Sequence, residues 1–274
     1  MGVAPARLQP LSYHGAMSSG YDTERLDTVL ILTPIKDVAD CVTTYCELID
    51  QLTYPRHLIS IGILEGDSRD DSFEVFQQAL PRLAEGRRRA ELWKKDFGFK
   101  MPPGIPRWAP AFQIPRRSAI AKSRNHLLSR ALRDETWVLW IDGDLVDYPA
   151  NVIETLLSTE RSLVHPHCLH EHRDETFDLN AWRDQGRLHM SDLADEGELV
   201  RLDTVGGTML WVDADLHRDG LIFPPFPYPG AKARNPGPWG VVGELESEGL
   251  GLLAGDMGVQ AWGMPGLIIR HRNF

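Results

Sequence analysis

No apolar run in this 274-residue chain approaches the roughly 18–20 residues that a membrane-spanning helix needs. The segment Met1–Asp27 mixes proline, glycine, serine and charge without an apolar stretch, so it reads as an extension and not as a secretory signal. Cysteine is scarce. Cys41, Cys46 and Cys168 cannot all pair and lack the spacing of a zinc knuckle, which points to a reducing compartment. Basic charge is also short, with 29 Lys+Arg against 39 Asp+Glu and a net charge of −10. A phosphate backbone would be repelled over most of such a surface, so nucleic acid is not an expected partner. An acidic protein can still hold a diphosphate in a local basic pocket beside a divalent cation. Hydrophobic residues at 42% and charged residues at 25% exclude wholesale disorder. The expectation is a soluble, cytoplasmic protein, with a peripheral role at a membrane on a lipid-linked acceptor left open.

Strand and helix signals alternate along the chain. Thr28–Thr33 is a continuous β-branched and apolar run of the kind buried on both faces of a parallel sheet. Helical spacing follows from about Asp37 to Leu52, then a second strand at Leu58–Leu64 and a helix near Ser72–Arg88. Ala90–Lys95 suggests a third strand. Phe97–Arg117 carries five prolines and reads as a long loop of the functional or mobile kind. A helix over Ser118–Arg133 and a strand over Thr136–Ile141 come next, then a helix at about 149–158 and a strand near Ser162–Leu169. The second half offers a glycine turn at Gly206-Gly207, a strand at Thr208–Val212, a proline- and glycine-rich loop from Pro224 to Gly240, a helix over Val242–Leu253 and a last strand ending near His271. The alternation implies an α/β fold with a mostly parallel central sheet flanked by helices. With no repeat and no linker, residues 28–274 are expected to form one domain behind the extension 1–27.

The sharpest chemical feature is Asp142-Gly-Asp144 at the end of a buried strand. The carboxyl edge of an open α/β sheet is where ligands bind. Two carboxylates there suit Mn²⁺ or Mg²⁺, hard cations that bridge phosphate oxygens. The plainer alternative is a turn in which both aspartates cap the next helix. His271, beyond the Gly266–Ile269 strand pattern, could supply a neutral imidazole as third ligand. The acidic turn Glu65–Asp71 also ends a strand, and Glu65 and Asp67 are its candidates for accepting hydrogen bonds from a nucleobase or ribose. Arg117 and Arg124, seven apart and so on one helical face, match phosphate geometry, whereas Arg116 reads as part of a solvated basic face. At Gly206 and Gly207 the backbone is expected to approach a ligand closely. Glu246 and Glu248 either orient an acceptor hydroxyl or serve only as charges at a helix start. His165, His167, His170 and His172 alternate over two faces of a strand, which disfavours a metal site and favours an acceptor groove or a solvated edge. Aromatics between Phe223 and Trp239 fit packing or sugar stacking equally.

Together these segments resemble the GT-A glycosyltransferases, and within them the fungal Anp1/Mnn9/Van1 mannosyltransferase family, from about Val29 to His271. The likeness rests on Val29–Pro34, Leu52–Arg56, Ala121–Asn125, Trp137–Asp144, Phe177–Trp182, Val205–Gly207, His217–Gly220 with Phe223-Pro224, Glu246–Gly249 and His271, all in order. The resemblance implies a GT-A fold, a nucleotide-sugar donor (GDP-mannose or a UDP-sugar), Mn²⁺ and retention of anomeric configuration. By it, Asp144 and His271 bind metal, Asp142 holds the donor ribose or sugar beside the metal, and Arg124 holds the diphosphate or donor sugar. Thr33, Pro34 and Glu65 would border the nucleotide. The family's members are typically Golgi proteins with an N-terminal membrane anchor, a segment not recognisable here. The proline-rich loop and the histidine cluster are the chief departures. The expected function is transfer of a sugar to a glycan or other hydroxyl acceptor. The alternatives are a nucleotidyltransferase acting on sugar phosphates and a non-catalytic carbohydrate-binding subunit.

Overall fold

The computed structural model describes residues 27–238 and 240–273. The expected extension therefore lies outside the described residues, apart from Asp27. The first half runs β1 (Val29–Ile35), α1 (Val42–Asp50), β2 (Ile59–Glu65), α2 (Ser72–Ala84), β3 (Arg89–Lys94), α3 (Pro110–Ala131) and β4 (Trp137–Ile141). After it come β5 (Leu145–Asp147), α4 (Val152–Leu157), β6 (Leu163–His170), β7 (Arg173–Thr176), β8 (Trp182–Arg183), β9 (Leu188–His189) and β10 (Val200–Leu202). The chain finishes with β11 (Met209–Asp213), α5 (Ala214–Arg218), α6 (Glu246–Asp256) and β12 (Ala261–His271).

The central sheet has the order β10-β12-β6-β11-β4-β1-β2-β3, with β5 on β12 and β7 on β6. Strands β3, β2, β1 and β4 are parallel neighbours, β6 and β12 are parallel, and β11 is inserted antiparallel between β4 and β6. Most of the ladder is thus parallel, as the buried apolar runs require. Side chains alternate across it. Val29, Ile31 and Ile35 pack against α1 and α2 through Tyr45, Ile49 and Phe76, while Leu30 and Leu32 pack against α3 and α6 through Ala121, Leu128 and Leu250. Each such buried side chain contributes roughly 1.5–3 kcal/mol.

Three boundaries differ from the sequence expectation, each for a local reason. Helix α3 begins at Pro110 and not at Ser118. Pro110 sits in the first turn, where a missing N–H costs nothing, and Pro115 forgoes only one intrahelical bond. Helix α6 begins at Glu246 and not at Val242. Gly243 is held at φ 103° and Glu244 is bridged to Tyr228 in extended form, so the helix cannot start earlier. Asp37 has φ 54°, and a 3-10 turn at Ala39–Cys41 precedes α1. No helix among the described residues is long and apolar enough to cross a membrane.

Candidate active site

The carboxyl ends of β1, β2 and β4 share one edge, because Ile35 registers with Glu65 and Leu32 with Trp140. At that edge lies a cleft of about 400 Å³, lined by Pro34, Lys36, Asp67, Arg124, Asp142 and His271 among others. The topology explains how the end of the chain reaches its middle. Strand β12 pairs with β5, and His271 is in register with Leu145, the residue after Asp144. Potential ligand atoms of Asp142, Asp144 and His271 all lie within 4.8 Å of one another, the one such group of three among the described residues.

His271 is aimed by its neighbours. Its Nδ1 is 2.8 Å from the Arg272 carbonyl oxygen, which makes Nδ1 the protonated donor and turns Nε2 toward the acidic pair, 3.0 Å from Asp144 Oδ1. Its ring stacks on Phe177 at 3.9 Å between centroids. Burial works to lower the imidazole pKa, but the Asp144 hydrogen bond and charge outweigh it, and the net shift is upward. Burial likewise works to raise Asp144, and His271 holds it below its ordinary value. Burial pushes the Asp142 carboxyl up to about 7, with Arg124 opposing and Asp144 adding to the rise. Two carboxylates and one imidazole lone pair, converging in a place where two ionised carboxylates repel, form a donor set that fits Mn²⁺ or Mg²⁺. Gly143, between the aspartates, has no room for a side chain: a Cβ would come within 2.9 Å of Ile35 Cγ2.

Arg124 lies on the wall that α3 gives the cleft. Its Nη2 donates to Asp142 Oδ1 and to the Gly207 carbonyl, each at 2.9 Å, and its Nε is 3.0 Å from Glu246 Oε1. Nη1 is buried and makes no hydrogen bond. A Cβ at Gly207 would stand 2.8 Å from Nη2, so the glycine turn lets this arginine reach the acidic pair. Asp178 fixes that turn: its Oδ2 accepts from Gly207 N at 2.9 Å and from Thr208 N at 3.2 Å. Glu246 begins α6 at φ 55°, a strained conformation for a side-chain-bearing residue and one that concentrates at functional sites. Glu248 points elsewhere. It accepts from Arg117, from Trp182 Nε1 at 2.7 Å and from Arg234. Arg117 is therefore committed to Glu248, to the Leu245 carbonyl and to Glu246, and does not line the cleft.

On the opposite side Pro34 lines the cleft, while Thr33 is buried and shares a 2.9 Å hydrogen bond with Tyr45. Glu65 is buried behind the edge, accepting from Ser68 N at 2.9 Å with Lys94 3.6 Å away. Asp67 lines the cleft at φ 61°, and its two oxygens accept from Phe97 N at 2.8 Å and Gly98 N at 3.1 Å. It thereby fixes the start of the proline-rich loop, whose Phe97, Phe99 and Met101 form part of the wall. Gly206 packs against Asp178 and His165, behind the cleft.

Sequence reasoning missed Arg107, Arg116 and Lys36, which line the cleft, and Asp178, which supports it. The available signal for Arg116 was its helical spacing from Ile120 and Arg124. The histidine cluster forms no metal-ligand set among the described residues. His165 and His167 are buried, their rings 2.8 Å from the Met209 carbonyl and 2.9 Å from Thr176 Oγ1. His170 bonds to Asn273, and His172 is exposed beside Glu171. Among the aromatics, Phe223 packs edge-on against Trp140, and Trp239 lies outside the described residues.

The sheet, with the cleft at its carboxyl edge, is of the GT-A type. Among solved structures, a mannosyltransferase from Pyrobaculum calidifontis in complex with GDP-Man and Mn²⁺ superposes with a TM-score of 0.53 at 16% identity, covering 89% of this chain and 56% of that one. A sequence model of the Anp1 family matches residues 13–193 and 184–227, and the chain belongs to that family. It is 28% identical to the mannan polymerase complex subunit mnn9 of Schizosaccharomyces pombe, over 90% of this chain and 80% of the relative. It is 25% identical to the mannan polymerase II complex anp1 subunit of the same organism, over 89% of this chain. The chain spans 64% of the length of that second relative.

Proposed function

We propose that the chain is a metal-dependent glycosyltransferase that moves a sugar from a nucleoside-diphosphate donor to a hydroxyl acceptor, a glycan or a lipid-linked saccharide. The convergence of Asp142, Asp144 and His271 at the mouth of a cleft shared with Arg124 is the observation that carries this reading. Mannose from GDP-mannose is the preferred donor, since the relatives are named for mannan synthesis and one fold neighbour for GDP-Man; a UDP-sugar is the competing donor.

Asp142, Asp144 and His271 would hold Mn²⁺ or Mg²⁺, which when bound supplies Lewis-acid neutralisation of the diphosphate. The protein's own side chains do the rest. Arg124 places a fixed, always-charged donor where negative charge develops as the glycosidic bond breaks. Its Nη1 makes no hydrogen bond within the protein, and the residue lines the cleft. Glu246 holds Arg124 from behind, while Asp67 and the loop it fixes wall the nucleoside end. With retention, the acceptor oxygen bonds to the anomeric carbon on the face the diphosphate leaves. The diphosphate takes the bonding electrons and its oxygen takes the hydroxyl proton, so no protein nucleophile is required. We further propose that residues 28–274 act as one catalytic unit.

The test is thermal-shift screening of GDP- and UDP-sugars with and without Mn²⁺, followed by product analysis. A specific donor raises the midpoint by linkage only with metal present, and turnover with an acceptor releases nucleoside diphosphate. Pyrophosphate release would indicate a nucleotidyltransferase instead. No binding of any nucleotide with Mn²⁺ would leave a non-catalytic subunit.

A further inference from the structure

Asp178 is a buried carboxylate outside the cleft. It stands in the loop between β7 and β8 and is 6% exposed. The ion pairs that Arg124 and His271 make at the cleft do not include it. Its charge is met by N–H and O–H groups instead. Oδ2 accepts from Gly207 N at 2.9 Å, from Thr208 N at 3.2 Å and from Thr208 Oγ1 at 3.1 Å, and Oδ1 accepts from Asn180 N at 3.1 Å. Three backbone N–H donors favour the ionised form of a carboxylate. Burial works against that form, yet the net shift of its pKa is downward.

The residues it grips lead straight to the site. The Gly207 carbonyl accepts from Arg124 Nη2, and the Thr208 carbonyl accepts from the backbone N of Asp142, both at 2.9 Å. The Gly207–Thr208 peptide is planar and trans, so its N–H and its C=O point in opposite directions. With the N–H held by Asp178, the C=O is held toward Arg124. The same contact accounts for Gly206. A Cβ there would lie 2.1 Å from Asp178 Oδ2 and 2.6 Å from His165 Cε1, so a side chain would expel the carboxylate.

The loop that carries Asp178 is anchored on both sides of it. Phe177 N donates to the Cys168 carbonyl at 2.8 Å, and Thr204 Oγ1 donates to the Asn180 carbonyl at 2.6 Å. Phe177 is also the residue stacked on His271. We propose that Asp178 is a positioning residue for sugar transfer, bracing the Gly207–Thr208 peptide so that Arg124 stays aimed at Asp142 and the cleft. This rests on the nucleotide-sugar reading above.

The experiment is steady-state turnover of GDP-mannose and UDP-sugars by the full chain at saturating Mn²⁺, with GDP and UDP binding measured by calorimetry. Asp178→Asn keeps the size of the side chain but sets an amide N–H against the Asn180 N–H or against those of Gly207 and Thr208. It should lower kcat at least about 10-fold while KM for the donor and Kd for the diphosphate stay within about 3-fold. In an Arg124→Lys background the same substitution should cost less than about 3-fold, because it acts through the arginine. A merely structural role would cost the same factor in both backgrounds and would overturn the proposal, as would an unchanged kcat in Asp178→Asn. If that variant does not fold, Thr208→Val decides: it removes only the hydroxyl bond to Asp178, and kcat should fall about 3-fold with KM unchanged. An unchanged kcat there sinks the brace and leaves the transferase reading standing. If the wild-type protein turns over none of these donors, that reading falls and the brace with it.

Discussion

His271 shows how closely one side chain of the cleft is positioned. Its orientation depends on the Arg272 carbonyl at Nδ1 and on the face of Phe177, and Arg272 is itself tied to Asp40 by two 2.7 Å contacts. Groups that orient a metal-ligating histidine typically change metal affinity 10- to 100-fold when removed. Phe177→Leu should therefore weaken Mn²⁺ binding about 10-fold while the thermal midpoint without metal moves little. Electron paramagnetic resonance titration of Mn²⁺ measures this, and unchanged affinity would make the stack mere packing. Asp144→Asn keeps the shape but removes a ligand charge, and should lower both Mn²⁺ affinity and sugar transfer by roughly 100-fold or more. Retention of normal turnover in that variant would remove Asp144 from the metal site. The acidic pair stands out in the sequence because it follows a buried apolar strand, although the same pattern also suits a helix-capping turn. Arg116 does not, since only the elements packed around it distinguish it from Arg117.

Helices α3 and α6 face each other across a run of alternating charge. It passes from Arg234 to Glu248, Arg117, Glu246, Arg124 and Asp142. The loop before α6 is thus linked to the acidic pair by side chains that are mostly buried. Removing one partner of a buried pair leaves an uncompensated charge and costs about 3–5 kcal/mol. Glu248→Ala takes one carboxylate partner from Arg117, which keeps Glu246, and one from Arg234, which keeps Glu244, and it leaves Trp182 Nε1 without its acceptor, so it should destabilise by roughly 3 kcal/mol, the low end of that range, in urea denaturation. A shift below about 1 kcal/mol would show that the pairs are solvated and not structural. Gly207→Ala should act differently, because its new methyl displaces Arg124 while the fold survives. Its expected signature is a fall in transfer rate of at least about 10-fold with less than about 1 kcal/mol lost in stability. The sequence placed Glu246 and Glu248 side by side as equals. Only the start of α6 at Glu246, forced by the extended Glu244, turns one toward Arg124 and the other toward Arg117. Prolines misled in the same way: Pro110 and Pro115 read as loop punctuation, yet they sit where a long helix tolerates them.

At the scale of the molecule, the buried apolar runs specified the parallel half of the sheet well, since a strand covered on both faces has no polar alternative. The insertion of β11 and the return of β12 depend on pairings distant in sequence, which no local pattern reports. That half also carries the clearest pH sensitivity outside the acidic site. His217, on α5, is buried under β4. Its Nδ1 is 2.7 Å from the Leu221 carbonyl, and its Nε2 accepts from Trp140 Nε1 at 3.2 Å. Burial holds its pKa down at about 4, against about 6.5 when the chain unfolds. The unfolded state therefore binds the extra proton first, so the contribution of a neutral His217 is complete above pH 6.5 and declines as pH falls toward 4. The loss amounts to roughly 3 kcal/mol at the lower end. Buried His165 and His167 are shifted in the same direction and add to the slope, whereas His271 is shifted in the opposite one. Substitution separates His217 from the rest. His217→Gln can still accept from Trp140 but cannot take up a proton. It should lower stability at pH 7.5 and flatten the dependence between pH 6.5 and 4 relative to wild type. Urea midpoints measured across that range decide it, and parallel curves for the two proteins would mean that His217 is already charged in the folded state.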